Sequence, residues 1–148
     1  MKLFTTTTMT LVLATLTAQG AGLANISKEE LDAKMGAKGS PCVNANEYRY
    51  MVLSNRQRVT YNFSFQNGKT AGVVVTFSNS KGVRVPQLAA KYFGCPTAYI
   101  KEDEDSKKEF TVYAGSTSFC YRSDERLGYA KRTSALEVKI WGWDQFEP

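Results

Sequence analysis

Alternation of apolar and polar residues is the main pattern along this chain. Over residues 58–66, apolar side chains occupy every second position, namely Val59, Tyr61, Phe63 and Phe65. A period of two predicts an antiparallel strand with one buried face. Asn67-Gly68 follows directly and predicts a type I′ hairpin leading to a second strand over residues 69–77.

The second strand of this hairpin does not match the first in a simple register. A two-residue turn would pair Phe63 with Gly72, which would leave the richer apolar set on the opposite face: Val73, Val75 and Phe77. Either a bulge near Gly72 shifts the register, or both faces of the sheet are covered.

Further short segments with strand-like patterns are separated by turn signals. They lie at residues 47–53, 97–101, 109–114, 117–122 and 134–141. About seven or eight short strands predict a mainly β domain over residues 41–148, built as an antiparallel β-sandwich or a small barrel with one or two short helices. An α+β domain with a single antiparallel sheet is the alternative. The sequence shows no internal repeat.

Two short helices are predicted from their end signals. Ser27 opens a capping box, and Gly36 is suited to end the helix that follows. Pro86 and Gly94 mark the beginning and end of a second helix. The first helix is too short to be stable alone, so residues 25–40 are predicted to be a flexible arm that either docks on the domain or floats ahead of it.

Residues 1–24 have the features of a secretory signal peptide. Lys2 supplies the positive charge, residues 9–16 form an apolar stretch, and small residues follow. Cleavage after Ala24 fits best, and cleavage after Gly20 is the second choice. Because the apolar stretch is too short to span a membrane, we expect no transmembrane segment and a secreted, extracellular protein, with entry into host cells as an option.

The composition narrows the chemistry that the chain can perform. Its 148 residues include no histidine, and the formal net charge is +5. Neither a Ser-His-Asp triad, a Cys-His pair nor a histidine-ligated metal site can therefore be assembled. The acidic run at residues 102–105 lacks the ligand spacing of a calcium loop and predicts a solvated hairpin tip. We expect a non-enzymatic protein with no metal and no cofactor.

Export makes a disulfide bond the expected state of the cysteines. The chain has three, Cys42, Cys95 and Cys120, which allow one bridge and one free thiol. A bridge between Cys42 and Cys120 is preferred because it would tie the arm to the domain. Cys95 is the alternative partner or the free thiol. Asn62 begins an Asn-Phe-Ser sequence, which predicts N-glycosylation on the polar side of a strand.

Candidate binding residues lie near the C-terminus. Strict alternation places Trp141, Trp143 and Lys139 on the polar side of the last predicted strand. A pair of exposed tryptophans can anchor a protein partner, a sugar ring or a membrane interface. The alternative is that Gly142 breaks the strand and folds one or both indole rings into a second layer.

A second candidate binding segment has aromatic and basic residues interleaved. Tyr48, Arg49 and Tyr50 would suit stacking of nucleic-acid bases on a sheet. We prefer the interpretation that the tyrosines face the core and Arg49 faces solvent. Nucleic acid is therefore not expected as a partner.

The whole chain resembles the small secreted effectors and toxins of filamentous fungi. The shared features are a signal peptide, a short arm at residues 25–40, a compact β-rich domain, few cysteines and no catalytic triad. The resemblance implies a virulence factor that acts by binding a host or target protein. The odd number of cysteines departs from the cysteine-rich members of that class.

Two alternative functions follow from the residues. A hydrolase or ribonuclease-like protein without histidine could use Glu, Arg and Tyr side chains. A carbohydrate- or cell-wall-binding module could use Trp141 and Trp143. The sequence predicts no oligomeric state.

Overall fold

The computed structural model describes residues 22–115 and 125–145. These residues form two α-helices and eight strands in the following order along the chain: α1 (Lys28–Met35), β1 (Ser40–Pro41), β2 (Glu47–Ser54), β3 (Gln57–Gln66), β4 (Lys69–Phe77), α2 (Val85–Phe93), β5 (Ile100–Glu102), β6 (Glu109–Tyr113), β7 (Arg126–Ser134) and β8 (Glu137–Gly142). Short 3-10 turns precede β5 and follow β8, at Thr97–Tyr99 and Trp143–Gln145.

All the described strands belong to one antiparallel sheet with the order β1-β2-β3-β4-β8-β7-β6-β5. The chain forms a helix followed by a four-strand meander, and then repeats this arrangement. The last strands of the two meanders, β4 and β8, pair with each other at the centre of the sheet. In that central pair, Val73 lies opposite Ile140 and Val75 opposite Val138. The topology is therefore repeated, although the sequence shows no repeat.

The mainly β class with two short helices is confirmed, but the arrangement is a single sheet and not a sandwich or barrel. β1 and β5 lie at opposite edges of the sheet, so it is open. The helices pack on one face of the sheet and cover the apolar side chains that a second sheet would otherwise bury. The largest fully buried side chains are Tyr92, Phe63, Leu31, Ile140, Val75, Val112 and Val138.

The β3–β4 hairpin contains the predicted shift of register. Phe65 pairs with Thr70, whereas Phe63 pairs with Val73, and the shift falls between Ser64 and Phe65. One additional residue on β4 is accommodated there, which brings the apolar side chains of both strands to the same face. Of the two predicted explanations for the mismatch, the bulge is the correct one.

The arm predicted as flexible is packed against the sheet. Ser27 Oγ accepts a hydrogen bond from the Glu30 amide at 3.2 Å, and Gly36 ends α1 with a φ of 70°. Ser27 as the N-cap and Gly36 as the end of the helix are thus confirmed. Leu31 is fully buried beneath the helix, and Tyr50 Oη of β2 donates to Asp32 Oδ1 at 2.5 Å. The helix is held by these tertiary contacts, since its eight residues are too few for independent stability.

Asp32 is the polar link between α1 and the sheet, and it makes the fold sensitive to acid. Although burial raises its pKa, hydrogen bonds from Tyr50, the Gly39 amide and Lys28 lower it from 3.8 to about 2. A carboxyl group with a lowered pKa stabilises the folded chain above its unfolded pKa, and this contribution is lost as the pH falls towards 2.

We therefore expect Asp32→Asn to lower the free energy of unfolding by about 1–2 kcal/mol at pH 6, after allowing for partial exposure to solvent. The difference between the variant and the wild type should shrink as the pH is lowered from 4 to 2, because the wild-type carboxyl group then becomes protonated. Urea unfolding at several pH values measures it. A difference that stayed constant over this range would contradict the role of the Asp32 charge.

The segment before α1 is also anchored. The amides of Leu23 and Ala24 both donate to the Tyr92 carbonyl, at 2.7 and 2.9 Å. Thr70 Oγ1 donates to the Leu23 carbonyl at 2.6 Å and accepts from the Ile26 amide at 3.1 Å. The Leu23 side chain is only 6 % exposed. Leu23 belongs to the core and Ala24 packs against it, although the preferred signal-peptide cleavage would remove both residues.

The second half of the sheet differs most from the sequence prediction. The helix from Val85 to Phe93 is confirmed, and Gly94 follows it with a φ of 69°. The predicted strand at residues 97–101 is divided into a 3-10 turn and β5. β7 was not predicted, and the predicted strand at residues 117–122 lies outside the described residues. Among the described helices, none has the length and apolar character required to cross a bilayer.

Candidate binding face

The sheet face turned away from α1 and α2 is here called the open face, because no described element packs over it. The register of the strands aligns its side chains in rows across the sheet. One row consists of Glu47, Ser64, Gly72, Trp141, Tyr129, Thr111 and Lys101. The next row consists of Arg49, Asn62, Val74, Lys139, Lys131 and Glu109.

An aromatic pair lies at the centre of the open face. The rings of Trp141 and Tyr129 are 5.1 Å apart and inclined at 57°. Gly72 lies beside Trp141 on the neighbouring strand, where an added Cβ would come within 3.1 Å of the Trp141 Cβ. The glycine therefore leaves one side of the indole without a flanking side chain. A groove of about 410 Å³ runs along this side, between the Trp141 ring and β2.

Charged groups flank the aromatic pair. Lys131 Nζ lies 3.4 Å from Glu109 Oε1. Burial is the main cause that raises the pKa of the Tyr129 hydroxyl, and a hydrogen bond to Glu109 raises it further. The hydroxyl therefore stays protonated near neutral pH. Lys139 is exposed and has no ion-pair partner among the described residues. The centre of the face can thus offer stacking and apolar contact, with a cation beside it.

The structure brings together only part of the predicted binding set. Arg49, Lys139 and Trp141 share the open face, with Arg49 Nε donating to Asn62 Oδ1 at 3.1 Å. Tyr48 lies on the helix-covered face, where Lys28 Nζ is 4.7 Å from its ring centre. The preferred interpretation of this segment, with its tyrosines facing the core and Arg49 facing solvent, agrees with the structure.

The two tryptophans are separated by the end of β8. The strand ends at Gly142, and Trp143 begins a 3-10 turn. There the Arg126 guanidinium lies 4.8 Å from the centre of the Trp143 ring. Both indoles are half-buried, so neither the exposed pair nor complete burial in a second layer is observed. Trp141 belongs to the open face. Trp143 lies beyond the last paired residue of β8 and is not part of any row of that face.

Tyr129 and Lys131 are residues of the face that the sequence did not indicate. Both belong to β7, whose buried positions are Gly128 and Ala130. Without large apolar residues at alternate positions, the period-two signal is too weak to predict a strand. The available signal was Tyr129 itself, a β-favouring aromatic residue near the turn that leads to the last strand.

Asn62 of the glycosylation sequence lies on this face, and Cys42 lies near it. Cys42 and Cys95 are free thiols in the structure, and Cys42 Sγ is 4.0 Å from Asn62 Oδ1. Burial raises the pKa of the Cys95 thiol. Cys120 lies outside the described residues, so the Cys42–Cys120 bridge stays a prediction. Glycosylation of Asn62 also stays a prediction, at a half-buried position inside a row of the face.

Two of the acidic residues of the face, Glu47 and Glu109, are too far apart to act as a pair. Glu47 and Glu109 lie on strands five positions apart in the sheet order, a separation of about 24 Å. Paired carboxyl groups in glycoside hydrolysis need about 5–10 Å. Within residues 22–115 and 125–145, no three His, Cys, Asp or Glu side chains are grouped so that they could hold a metal ion.

No protein-family model, curated protein or solved structure matches this chain. The geometry and chemistry of the open face are therefore the basis for the function proposed below.

Proposed function

We propose that this protein is secreted and acts without catalysis, by binding a host or target protein through the open face. The observation that supports this most directly is the Trp141–Tyr129 pair at the centre of the sheet, with Gly72 beside it and Lys139 in the adjacent row. Tryptophan and tyrosine supply most of the binding energy in protein interfaces when they lie centrally and are surrounded by polar groups. An effector-like role in virulence follows from the resemblance to the fungal class.

The chemistry of the face favours a protein over the alternative partners. Each row contains an acidic as well as a basic residue, whereas a nucleic-acid surface needs a continuous positive patch. A sugar-binding platform would need a freely accessible aromatic face. Trp141 is half-buried and is inclined against Tyr129, so it offers an edge and one side of its ring. Mixed charge around a central aromatic pair is typical of a protein-binding surface.

Export is part of the proposal, and the packing before α1 bears on where the leader would end. Cleavage after Ala24 would remove Leu23, together with its amide and carbonyl hydrogen bonds. Cleavage after Gly20 would keep them. We therefore favour the second cleavage position, which the sequence had placed behind the first.

The binding role can be tested by capture from solution with a charge reversal on the face. The immobilised protein is exposed separately to host-tissue protein extract, to wall polysaccharides and to RNA. Lys139→Glu should weaken retention of the captured protein about tenfold or more, because it reverses the exposed charge beside the aromatic pair. Lys81→Glu makes the same charge change in a turn away from the face and should leave retention unchanged.

Two outcomes would contradict the proposal. One is retention of polysaccharide or RNA alone, which would favour one of the alternative functions. The other is capture of a protein that is equally strong for the wild type, Lys139→Glu and Trp141→Ala. Circular dichroism of each variant shows whether the sheet is intact, so that loss of binding is distinguished from loss of folding.

A further inference from the structure

The positive charge of this chain is concentrated in one part of the sequence. Residues 48–101, which run from β2 into β5, contain no Asp or Glu. The same residues contain eight basic side chains, which are Arg49, Arg56, Arg58, Lys69, Lys81, Arg84, Lys91 and Lys101. The formal net charge of +5 for the whole chain therefore understates how positive this part of the domain is.

Three of these cations lie at one corner of the sheet, where β2 ends and β3 begins. Leu53 lies opposite Arg58, and Met51 is the preceding residue on the same side of β2. Arg56 lies in the turn between the two strands, and Lys81 lies in the loop that follows β4. All five side chains are exposed to solvent. These five residues are here called the basic corner.

Hydrogen bonds hold the loop that carries Lys81 against the β2–β3 turn. The buried Gln57 side chain donates to the Asn79 carbonyl and, at 3.0 Å, to Asn79 Oδ1. The same Oδ1 atom accepts from the Lys81 amide at 3.0 Å. Beside it, the Arg58 amide donates to Ser78 Oγ at 3.1 Å. The two loops therefore form one platform that carries the cations of both.

The charge of the basic corner is not neutralised within the part of the chain that the structure describes. None of its three cations has an ion-pair partner there. Along β2 the nearest acidic residue is Glu47, four residues from Met51, and across the sheet it is Glu137, three strands away. Both separations are about 13–14 Å. The Glu137 carboxylate also accepts a hydrogen bond from Thr133 Oγ1 at 2.6 Å. The cations are thus available to an anionic partner.

Two large apolar side chains lie exposed among these cations. Met51 is 63 % exposed and Leu53 is 81 % exposed. They are two residues apart on one side of β2, a spacing of about 7 Å, so they form one small apolar patch. Burial of apolar side chains at the boundary of headgroups and acyl chains, together with attraction of cations to anionic lipids, is how proteins bind the surface of a bilayer.

The β2–β3 turn carries an arginine where the backbone geometry favours glycine. Asn55 has a φ of 51° and Arg56 has a φ of 63°. Both central residues of a type I′ turn need a positive φ, and glycine is usual at the second of them. The turn geometry therefore does not explain Arg56. Contact of the turn with anionic groups would give this side chain a role.

We propose that the basic corner docks on the surface of a membrane that contains anionic phospholipid. Met51 and Leu53 enter the boundary between headgroups and acyl chains, while Arg56, Arg58 and Lys81 contact headgroup phosphates. Each basic residue close to such a surface strengthens binding about fivefold. With three cations and two aliphatic side chains, binding should be reversible, and it should weaken as salt is added because salt screens the charges.

The chemistry of the basic corner favours a bilayer over RNA. Proteins that bind single-stranded RNA stack its bases on aromatic rings, and the basic corner contains none. Its leucine and methionine side chains gain instead from transfer out of water into an apolar layer. Trp141 lies three strands and four residues from Met51, a separation of about 20 Å. The basic corner is therefore distinct from the aromatic pair, and this proposal does not rest on the function proposed for the open face.

Co-sedimentation with lipid vesicles tests the need for charge. The exported protein should bind vesicles of phosphatidylcholine with phosphatidylserine and should not bind phosphatidylcholine alone. Arg56→Gln combined with Lys81→Gln should weaken binding about tenfold or more. Lys69→Gln combined with Lys101→Gln removes the same charge from the opposite end and the opposite edge of the sheet, and should change binding by less than about twofold. The proposal is overturned if the wild type binds neither kind of vesicle, if it binds both equally, or if the two double variants are equally weak.

Replacement of the apolar pair tests its contribution without changing the charge. Met51→Ser combined with Leu53→Ser should weaken binding to the phosphatidylserine vesicles about tenfold or more, because two side chains no longer leave water. Val43→Ser alters a fully exposed apolar residue elsewhere and should leave binding unchanged. Vesicle binding by the double variant as tight as that of the wild type would contradict the proposal, and so would retention of RNA by a protein that does not bind vesicles. Circular dichroism shows whether each variant is folded.

A tryptophan at position 53 reports whether the basic corner enters the bilayer. The fluorescence emission of an exposed tryptophan shifts to shorter wavelength when the indole leaves water. Vesicles with phosphatidylserine should produce this shift for Leu53→Trp and not for Val43→Trp, which has the same native tryptophans. Vesicle binding by Leu53→Trp without a shift greater than that of Val43→Trp would show that the apolar pair stays outside, and would overturn its assigned role.

Discussion

Replacing Phe63 by alanine is expected to lower the free energy of unfolding by about 3–5 kcal/mol. The Phe63 side chain has 0 % exposure and lies at the centre of the core. Its ring is edge-on to Tyr50 of β2 at 5.6 Å and stacks on Tyr92 of α2 at 6.5 Å. One side chain thus joins the strand that binds α1, its own strand and α2. Truncation would leave a cavity between all three.

Urea or guanidinium unfolding, followed by circular dichroism, measures this effect. Val43→Ala is the matched control, since Val43 is fully exposed and its truncation should change the free energy of unfolding by less than about 0.5 kcal/mol. Domains of this size are stabilised by only about 5–15 kcal/mol, so the Phe63 variant should be close to unfolding at physiological temperature. A loss below 1 kcal/mol would show that the core can repack around the site.

A chain that begins at Asn25 is expected to be less stable than one that begins at Ala21, by about 3–5 kcal/mol. Burial of the Leu23 side chain contributes about 2 kcal/mol. The two amide bonds to the Tyr92 carbonyl and the Thr70 hydroxyl bond to the Leu23 carbonyl contribute about 1 kcal/mol each, less what water recovers. The shorter chain also leaves the Thr70 hydroxyl, on a residue only 5 % exposed, without its acceptor.

The two chains can be compared directly by chemical unfolding. Leu23→Ala in the longer chain isolates the side-chain contribution and should reproduce about half of the loss. Equal stability of the two chains would contradict the anchoring role of this segment. Intact mass of the exported protein is the companion measurement for processing, and we expect its N-terminus at Ala21.

Strand β7 was not predicted because side chains of α2 supply part of the packing that its own residues would otherwise provide. At Gly128 an added Cβ would lie 2.1 Å from Phe93 Cζ. The aromatic ring of α2 fills the space that a side chain of β7 would otherwise occupy. The core side of this strand is therefore made of small residues, and the apolar atoms that complete the packing come from 35 residues earlier in the chain. Local periodicity cannot reveal such a contact.

The sequence predicted only part of the candidate site, because the rest depends on contacts between strands. Alternation placed Lys139 and Trp141 on one side of β8, and the structure agrees. It placed Trp143 there as well; β8 ends at Gly142, and Trp143 lies in the 3-10 turn that follows, beside Arg126, where strand alternation no longer applies. Tyr129 joins Trp141 because β7 pairs with β8 in a register that puts them opposite each other. Neither the chain turn nor the strand partner is encoded within the last strand alone.

Local signals in the sequence determined the parts of this protein that depend on near neighbours. Alternation specified β2, β3 and β4. Asn67-Gly68 specified the tight turn between β3 and β4, and Ser27 with Gly36 specified the ends of α1. These outcomes follow from backbone geometry and from bonds within a few residues. They also specified that the class would be mainly β.

Tertiary structure alone decided what covers the buried face of the sheet. The two helices, and not a second sheet, bury the apolar face, and each is too short to be stable without the surface that the sheet provides. Long-range pairing of β4 with β8 then aligned Gly72, Trp141 and Tyr129 on the open face. The same pairing order placed β1 and β5 at the edges of the sheet. Which strands become neighbours depends on the free energy of the whole packed domain, and no local pattern carries that information.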